Sequence, residues 1–139
     1  MARVVRPGGL VTAYGWDMHG GGFPYHALQA ELRAMGLVVP KAPSTDASRI
    51  EVLRELWSGA QLEEIETCEI TVRRTFADFD DYWAAVLGGP SVRQLLAALP
   101  AADTTRLQTR MREVLPADAG GRIAYEARAN AVKGRVSSP

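Results

Sequence analysis

The chain is 139 residues long and 47% hydrophobic, with 16 basic residues balanced by 16 acidic ones. That length suits one domain able to bury a core, and a net charge of zero leaves no basic field to gather nucleic acid. No apolar run approaches the ~18 residues of a membrane span, no apolar segment follows Met1 to act as a secretory signal, and the single cysteine, Cys68, excludes an internal disulfide or a cysteine metal cluster. A cytoplasmic protein with neither nucleic-acid nor membrane partners is expected.

Arg3-Val4-Val5-Arg6-Pro7-Gly8-Gly9 reads as the basic last turn of a helix followed by a stop. A strand is predicted over Leu10-Val11-Thr12-Ala13-Tyr14, then a loop over Gly15–Gly22. Pro24 suits a first helical residue. Tyr25, Leu28, Leu32 and Met35 follow at helical spacing up to Gly36, and Pro40–Thr45 is a turn-rich linker. Ser48 and Glu51 have the spacing of a capping box, opening a helix that buries Ile50, Leu53 and Trp57 and ends at Gly59.

From Leu62 to Phe76 the period changes to two: Cys68, Ile70 and Val72 face one way, Thr67, Glu69, Thr71 and Arg73 the other. Cys68 is expected to be buried in that strand. Phe79, Tyr82, Trp83, Val86 and Leu87 give the clearest helical stripe in the chain, capped by Asp78 and ended by Gly88-Gly89-Pro90. Ser91 opens a short helix with Val92, Leu95, Leu96 and Leu99 inward, and Asp103 opens another with Leu107, Met111, Val114 and Leu115 inward. After Gly120-Gly121, alternation from Ile123 to Ala131 predicts a last strand. The first strand, with little polar alternation, reads as a central strand wanting neighbours on both sides; with only two others available, an exposed sheet edge is expected. Residues 51–90 carry nine acidic and three basic groups, and residues 91–139 four acidic and eight basic. These segments either complement one another or form a solvated mixed surface.

Taken together, these residues resemble class I S-adenosylmethionine-dependent methyltransferases of the type 11-like kind. Arg3–Val11 is similar to the segment that joins the fourth helix to the fifth strand in that family. Leu53–Ile65 is similar to the last helix leading into the sixth strand, with Ala60-Gln61-Leu62 at the turn. Phe76–Trp83 resembles the helical insertion before the seventh strand of small-molecule members. The resemblance implies an α/β fold: the C-terminal part of a Rossmann-like sheet, three strands with the last antiparallel, flanking helices, and a helical insertion at about 77–119. Residues 1–139 would form a single partial domain, and Met1 would be an internal methionine.

The implied function is methyl transfer from S-adenosylmethionine to a small-molecule acceptor, by a segment expected to be inactive alone. The family's glycine-rich cofactor loop and the acidic residue that holds the ribose belong upstream of Met1, so no cofactor-binding residue and no catalytic residue is assigned. The alternative is a non-catalytic interaction module that completes its sheet with a partner chain or a second copy.

Gly20-Gly21-Gly22, between a strand and a helix, invites comparison with a cofactor loop, but no acidic partner is placed for it; a flexible loop over the site mouth is the expectation. His19-Gly20-Gly21-Gly22 also matches a lipase oxyanion motif. No G-x-S-x-G elbow exists and no histidine follows His26, so that reading is excluded. Asp17, His19 and His26 form the one cluster with acid–base potential, either accepting a proton from an acceptor or serving as plain loop residues. Their spacing matches no metal motif, and no metal is expected. Trp16 and Tyr25, in or beside the loop, complete the substrate-facing candidates: Trp16, Asp17, His19, Tyr25 and His26.

Overall fold

The computed structural model describes residues 2–137. It is a mixed α/β structure in the order β1 (Leu10–Trp16), α1 (His26–Ala34), α2 (Ile50–Gly59), β2 (Leu62–Phe76), α3 (Phe79–Leu87), α4 (Pro90–Ala97), α5 (Ala101–Val114) and β3 (Ile123–Val136). Short 3-10 turns lie at Ala2–Val4 and Thr45–Ser48. The three strands form one sheet in the order β1-β3-β2. β3 runs antiparallel to β1, with Ala13 opposite Val132. Ion pairs give its direction against β2: Glu64 to Arg135, Glu66 to Lys133, Glu69 to Arg128 and Arg73 to Glu126, partner numbers falling on β3 as they rise on β2. β1 and β2 therefore run parallel to each other with the last strand between them.

The central strand is thus β3, not the first strand as its pattern suggested. The reason is side-chain size. Ala127, Ala129, Asn130, Val132 and Gly134 are buried on both faces of the sheet, where small residues let neighbours approach closely. A side chain at Gly134 would meet the Trp57 ring, whose Cδ1 lies 2.8 Å from where its Cβ would stand. β1 is an edge strand.

The chain forms two compact units. One comprises the chain up to Pro24, Lys41–Val72 and the residues from Ala127 on. Its core joins α2 to one face of the sheet through Val11, Leu53, Trp57, Leu62 and Val132, and the Trp57 indole N–H donates to the Val11 carbonyl at 3.2 Å. Leu62 and Ile65, three residues apart, both pack into this cluster. Glu64, at φ 50°, is the extra residue of a bulge that lets the strand do so. From Cys68 to Thr75 both faces of β2 are exposed, so Cys68 is exposed rather than buried. The alternation predicted one buried face there, but among the described residues α2 is the only α-helix packed on this cluster, and the part of β2 in the cluster ends at Ile65.

α2 does not begin with a capping box. Its N-cap is Arg49, with no side-chain cap. Ser48 sits in the preceding 3-10 turn, where its hydroxyl donates to the Thr45 carbonyl and accepts from the Met18 amide. Ile50 is half-buried.

The second unit comprises Tyr25–Pro40 and Arg73–Glu126. Its core gathers Leu28 and Leu32 of α1, Phe79, Tyr82 and Val86 of α3, Val92 and Leu96 of α4, and Leu107 and Met111 of α5. Here a reciprocal cap does form: the Asp78 carboxylate accepts from the Asp81 amide, and the Asp81 carboxylate from the Ala77 amide. α4 begins one residue before Ser91, at Pro90, a residue favoured in the first turn. α5 begins two residues before Asp103, with Pro100 as N-cap. Val114 and Leu87 turn outward, at 50% and 36% exposure. Tyr82 stacks edge-on against Phe76, with centroids 5.3 Å apart. Its hydroxyl is buried without a hydrogen-bond partner among the described residues, and burial pushes the phenol well above its ordinary value.

These environments predict three different outcomes for three substitutions, read by urea denaturation. Leu107→Ala removes a fully buried side chain and should cost about 2–5 kcal/mol. Val114→Ala should stay within about 0.5 kcal/mol of the parent. Tyr82→Phe deletes an unpaired buried hydroxyl and should stabilise by roughly 1 kcal/mol; a destabilisation there would mean the hydroxyl has a partner.

Candidate functional site

The residues that follow β1 form a closed turn rather than a flexible loop over a site. Asp17 donates its amide to the Arg128 carbonyl, the Gly22 amide donates to the Asp17 carbonyl, and the Arg128 amide donates to the Gly22 carbonyl, each at 2.9 Å. The side chains repeat the connection. The Asp17 carboxylate accepts from the Gly20 amide at 2.7 Å and from Arg128 Nε and Nη2 at 3.1 and 2.6 Å. Arg128 Nη2 also donates to the Gly20 carbonyl at 3.2 Å.

Glycine is required here by space. A Cβ on Gly20 would overlap the Asp17 carboxylate, and one on Gly22 would lie 2.5 Å from the Arg128 carbonyl oxygen. The amides of Gly20 and Gly22 are spent inside the turn, so they are not free to cradle an anionic or nucleoside ligand as a glycine-rich cofactor loop does. The turn at Gly20 and Gly22 therefore does not supply the free amides of a glycine-rich cofactor loop, and no contact to S-adenosylmethionine is assigned.

Asp17 is 6% exposed. Burial pushes its carboxyl up, but the Gly20 amide, the Arg128 hydrogen bonds and charge, and the His19 amide together outweigh that and hold it below the ordinary carboxylate value. The same pairing raises Arg128 above its ordinary value. Behind the turn, Asn130 donates from Nδ2 to the Ser48 carbonyl at 2.8 Å, while its Oδ1 is buried without a partner among the described residues.

Of the residues singled out by sequence, Trp16, Asp17 and His19 lie at and just after the end of β1. Trp16 is its last residue, 38% exposed. His19 Nε2 lies 2.9 Å from Asp46 Oδ1, on the surface. Tyr25 and His26 belong to the second unit: His26 is the exposed first residue of α1 and Tyr25 its half-buried N-cap. The turn's own partner, Arg128, escaped sequence reasoning, as did Asp46 and Asn130. An arginine and an asparagine two apart in a strand otherwise rich in alanine were the available signal.

The opposite face of the sheet holds a shallow groove of about 380 Å³, with Thr12, Tyr14, Cys68, Ile70, Ala131 and Lys133 on its walls. Among the described residues, no group of three or more His, Cys, Asp or Glu side chains is gathered to hold a metal ion, and no helix is long and apolar enough to cross a membrane.

No protein-family model matches the chain, nor does any curated protein. Among solved structures it resembles a protein of Bacillus halodurans C-125, provisionally designated a methyltransferase, at 13% identity and a TM-score of 0.40. The likeness covers 99% of this chain and 55% of that one, so the chain spans little more than half its neighbour's length. A likeness of that grade by itself decides neither family nor activity.

The turn itself is directly testable. Asp17→Asn should destabilise the protein by about 1–3 kcal/mol, the worth of charge-assisted hydrogen bonds to a buried carboxylate. The pH dependence has a fixed sign. Because the folded pKa of Asp17 lies below the ordinary 3.8, its contribution is complete above that value and is lost as pH falls through the folded value. Acid titration followed by circular dichroism should show parent and variant converging as pH falls below the ordinary value of 3.8. A gap that stays constant throughout the titration would mean the carboxylate charge plays no part.

Proposed function

We propose that the chain is the acceptor-side, C-terminal portion of an S-adenosylmethionine-dependent methyltransferase that acts on a small molecule. The observation that carries this reading is strand direction. The resemblance of Arg3–Val11 implies a last strand antiparallel to the two before it and preceded by a helical insertion. β3 follows three consecutive helices and runs antiparallel to both β1 and β2. The cofactor would supply an activated methyl group; its contacts lie outside the residues described here, and the role of this chain is confined to the acceptor.

In that role Trp16 offers an indole face at the end of β1, suited to an apolar or aromatic acceptor. His19 offers a base. Its Nε2 lies 2.9 Å from Asp46 Oδ1, which orients the ring and leaves Nδ1 as the nitrogen to meet an acceptor hydroxyl or amine. Asp17, turned inward to Arg128, is a positioning residue: it holds the backbone from which Trp16 and His19 project.

The test is the longer reading frame. Translation of the in-frame DNA ahead of Met1 should give a strand, a glycine-rich turn and a downstream acidic residue, and the product should move a labelled methyl group from S-adenosylmethionine to small acceptors. His19→Gln in that protein should lower kcat about a hundredfold, and Trp16→Ala should raise KM. A stop codon or unrelated sequence directly ahead of Met1 would overturn the reading, as would saturable cofactor binding by the 139-residue chain alone.

A further inference from the structure

On the reading of His19 as the base that meets the acceptor, we propose that Ser48 and Asn130 are positioning residues for it. Together they seat the 3-10 turn that carries Asp46 and so hold its carboxylate against the imidazole. Met18, His19, Asp46, Ser48 and Asn130 all belong to one compact unit.

Asp46 has little to hold it from its own segment. The turn Thr45–Ser48 is four residues long, a length that takes its stability from tertiary contacts. Residues 40–44, which lead into it, are exposed. Ser44 enters the turn at φ 54° with no side-chain cap, in the left-handed region where a residue with a side chain stays only when neighbouring contacts hold it. The hydrogen bonds along the turn, from the Ala47 amide to the Ser44 carbonyl and from the Arg49 amide to the Asp46 carbonyl, shape it but do not fix its place on the sheet.

Ser48 supplies that anchorage. Its hydroxyl donates to the Thr45 carbonyl at 2.7 Å and accepts from the Met18 amide at 3.2 Å. Met18 directly precedes His19, and Asp46 lies two residues before Ser48. One hydroxyl thus ties together the two segments whose side chains meet at 2.9 Å. The Ser48 carbonyl in turn accepts from Asn130 Nδ2 at 2.8 Å, which fastens the turn to the central strand. The His19 and Asp46 side chains are 45% and 73% exposed, and an exposed pair of that kind does not by itself hold two segments together. The contacts behind it do so, with Ser48 9% exposed and Asn130 4%.

Asn130 carries a cost for that bond. The other buried residues of β3 from Ala127 on are alanine, valine and glycine. Only the amide nitrogen can face a carbonyl, so Oδ1 is the atom left buried without a partner among the described residues. An apolar residue would avoid that loss and would also release the Ser48 carbonyl. Positioning kept at the expense of local stability is the mark of a functional site.

The geometry is read on the 139-residue chain by nuclear Overhauser contacts between the His19 ring and the Asp46 methylene. They should be present in the parent and in Ser48→Thr, which keeps the hydroxyl, and lost in Ser48→Ala and in Asn130→Val. Leu107→Val, a loss of packing in the other unit, should leave them intact. The consequence is read on the longer protein. Ser48→Ala should lower its kcat about tenfold with KM unchanged, and Ser48→Thr should restore it. Added to His19→Gln, Ser48→Ala should cost nothing more, because it acts only through the imidazole. Contacts that survive both Ser48→Ala and Asn130→Val overturn the proposal, as does a loss from Ser48→Ala that adds in full to that from His19→Gln. Should the longer protein transfer no methyl group, the acceptor-side reading fails, while the Overhauser contacts still decide whether Ser48 and Asn130 hold Asp46 on His19.

Discussion

Every strand pairing in this sheet includes β3. β1 and β2 are parallel and never touch, so until the last strand inserts between them neither has a ladder, and the face that α2 must cover does not exist. The pairings that complete the sheet span over a hundred residues, from Leu10 to Arg135 and from Trp16 to Ala129. Closing so long a loop costs entropy before it returns contact energy. What rewards the closure is narrow: alanine, valine and glycine side chains small enough to be buried on both faces. A ladder of ion pairs accompanies it, Glu64 with Arg135 and Glu66 with Lys133. Exposed pairs of this kind add little stability each, but they oppose a slip of register, which would turn each side chain to the other face.

The Asp17 turn follows from the same constraint. Arg128 lies on β3, and only its insertion beside β1 brings the guanidinium to Asp17. Once there, the pair closes the chain tightly enough to exclude any side chain at Gly20 or Gly22 and to use up both of their amides. A glycine cluster between a strand and a helix is the signature of a phosphate or nucleoside cradle when its amides are free. Here the same composition serves packing, and the difference is set by an arginine more than a hundred residues away.

That separation explains which features were legible in the sequence. The bounds of β2 and the α3 stripe were readable because period two and period 3.6 are local, and so was the Asp78 cap. The place of β1 was not: an uncharged apolar strand looks the same whether it lies at the centre of a sheet or at an edge awaiting a partner. Ser48 had the right spacing to Glu51, but its hydroxyl was drawn to the Met18 amide and the Thr45 carbonyl by contacts that no local pattern encodes. Cys68 alternated as a buried residue should, yet nothing in the strand's own sequence says how far a covering helix extends. Among the candidate residues, Trp16, Asp17 and His19 were singled out from the loop's composition, whereas Arg128 and Asp46, which contact Asp17 and His19, became visible only through tertiary pairing.

The two edges of the sheet show how the fold divides its surface. β2 carries glutamates, arginines and a bulge, the devices that keep a strand solitary, and with them the stretch from Cys68 to Thr75 stays exposed on both faces. β1 is half as long and carries none. A strand whose outward amides are bare, whose side chains are leucine, threonine, tyrosine and tryptophan, and whose length stops where Ser48 takes the next amide has the composition of an interior strand placed at an edge. Trp16 is the last residue of that strand and lies at the sheet's edge, so whatever strand completes the sheet also determines how much of the indole face remains open to a small molecule.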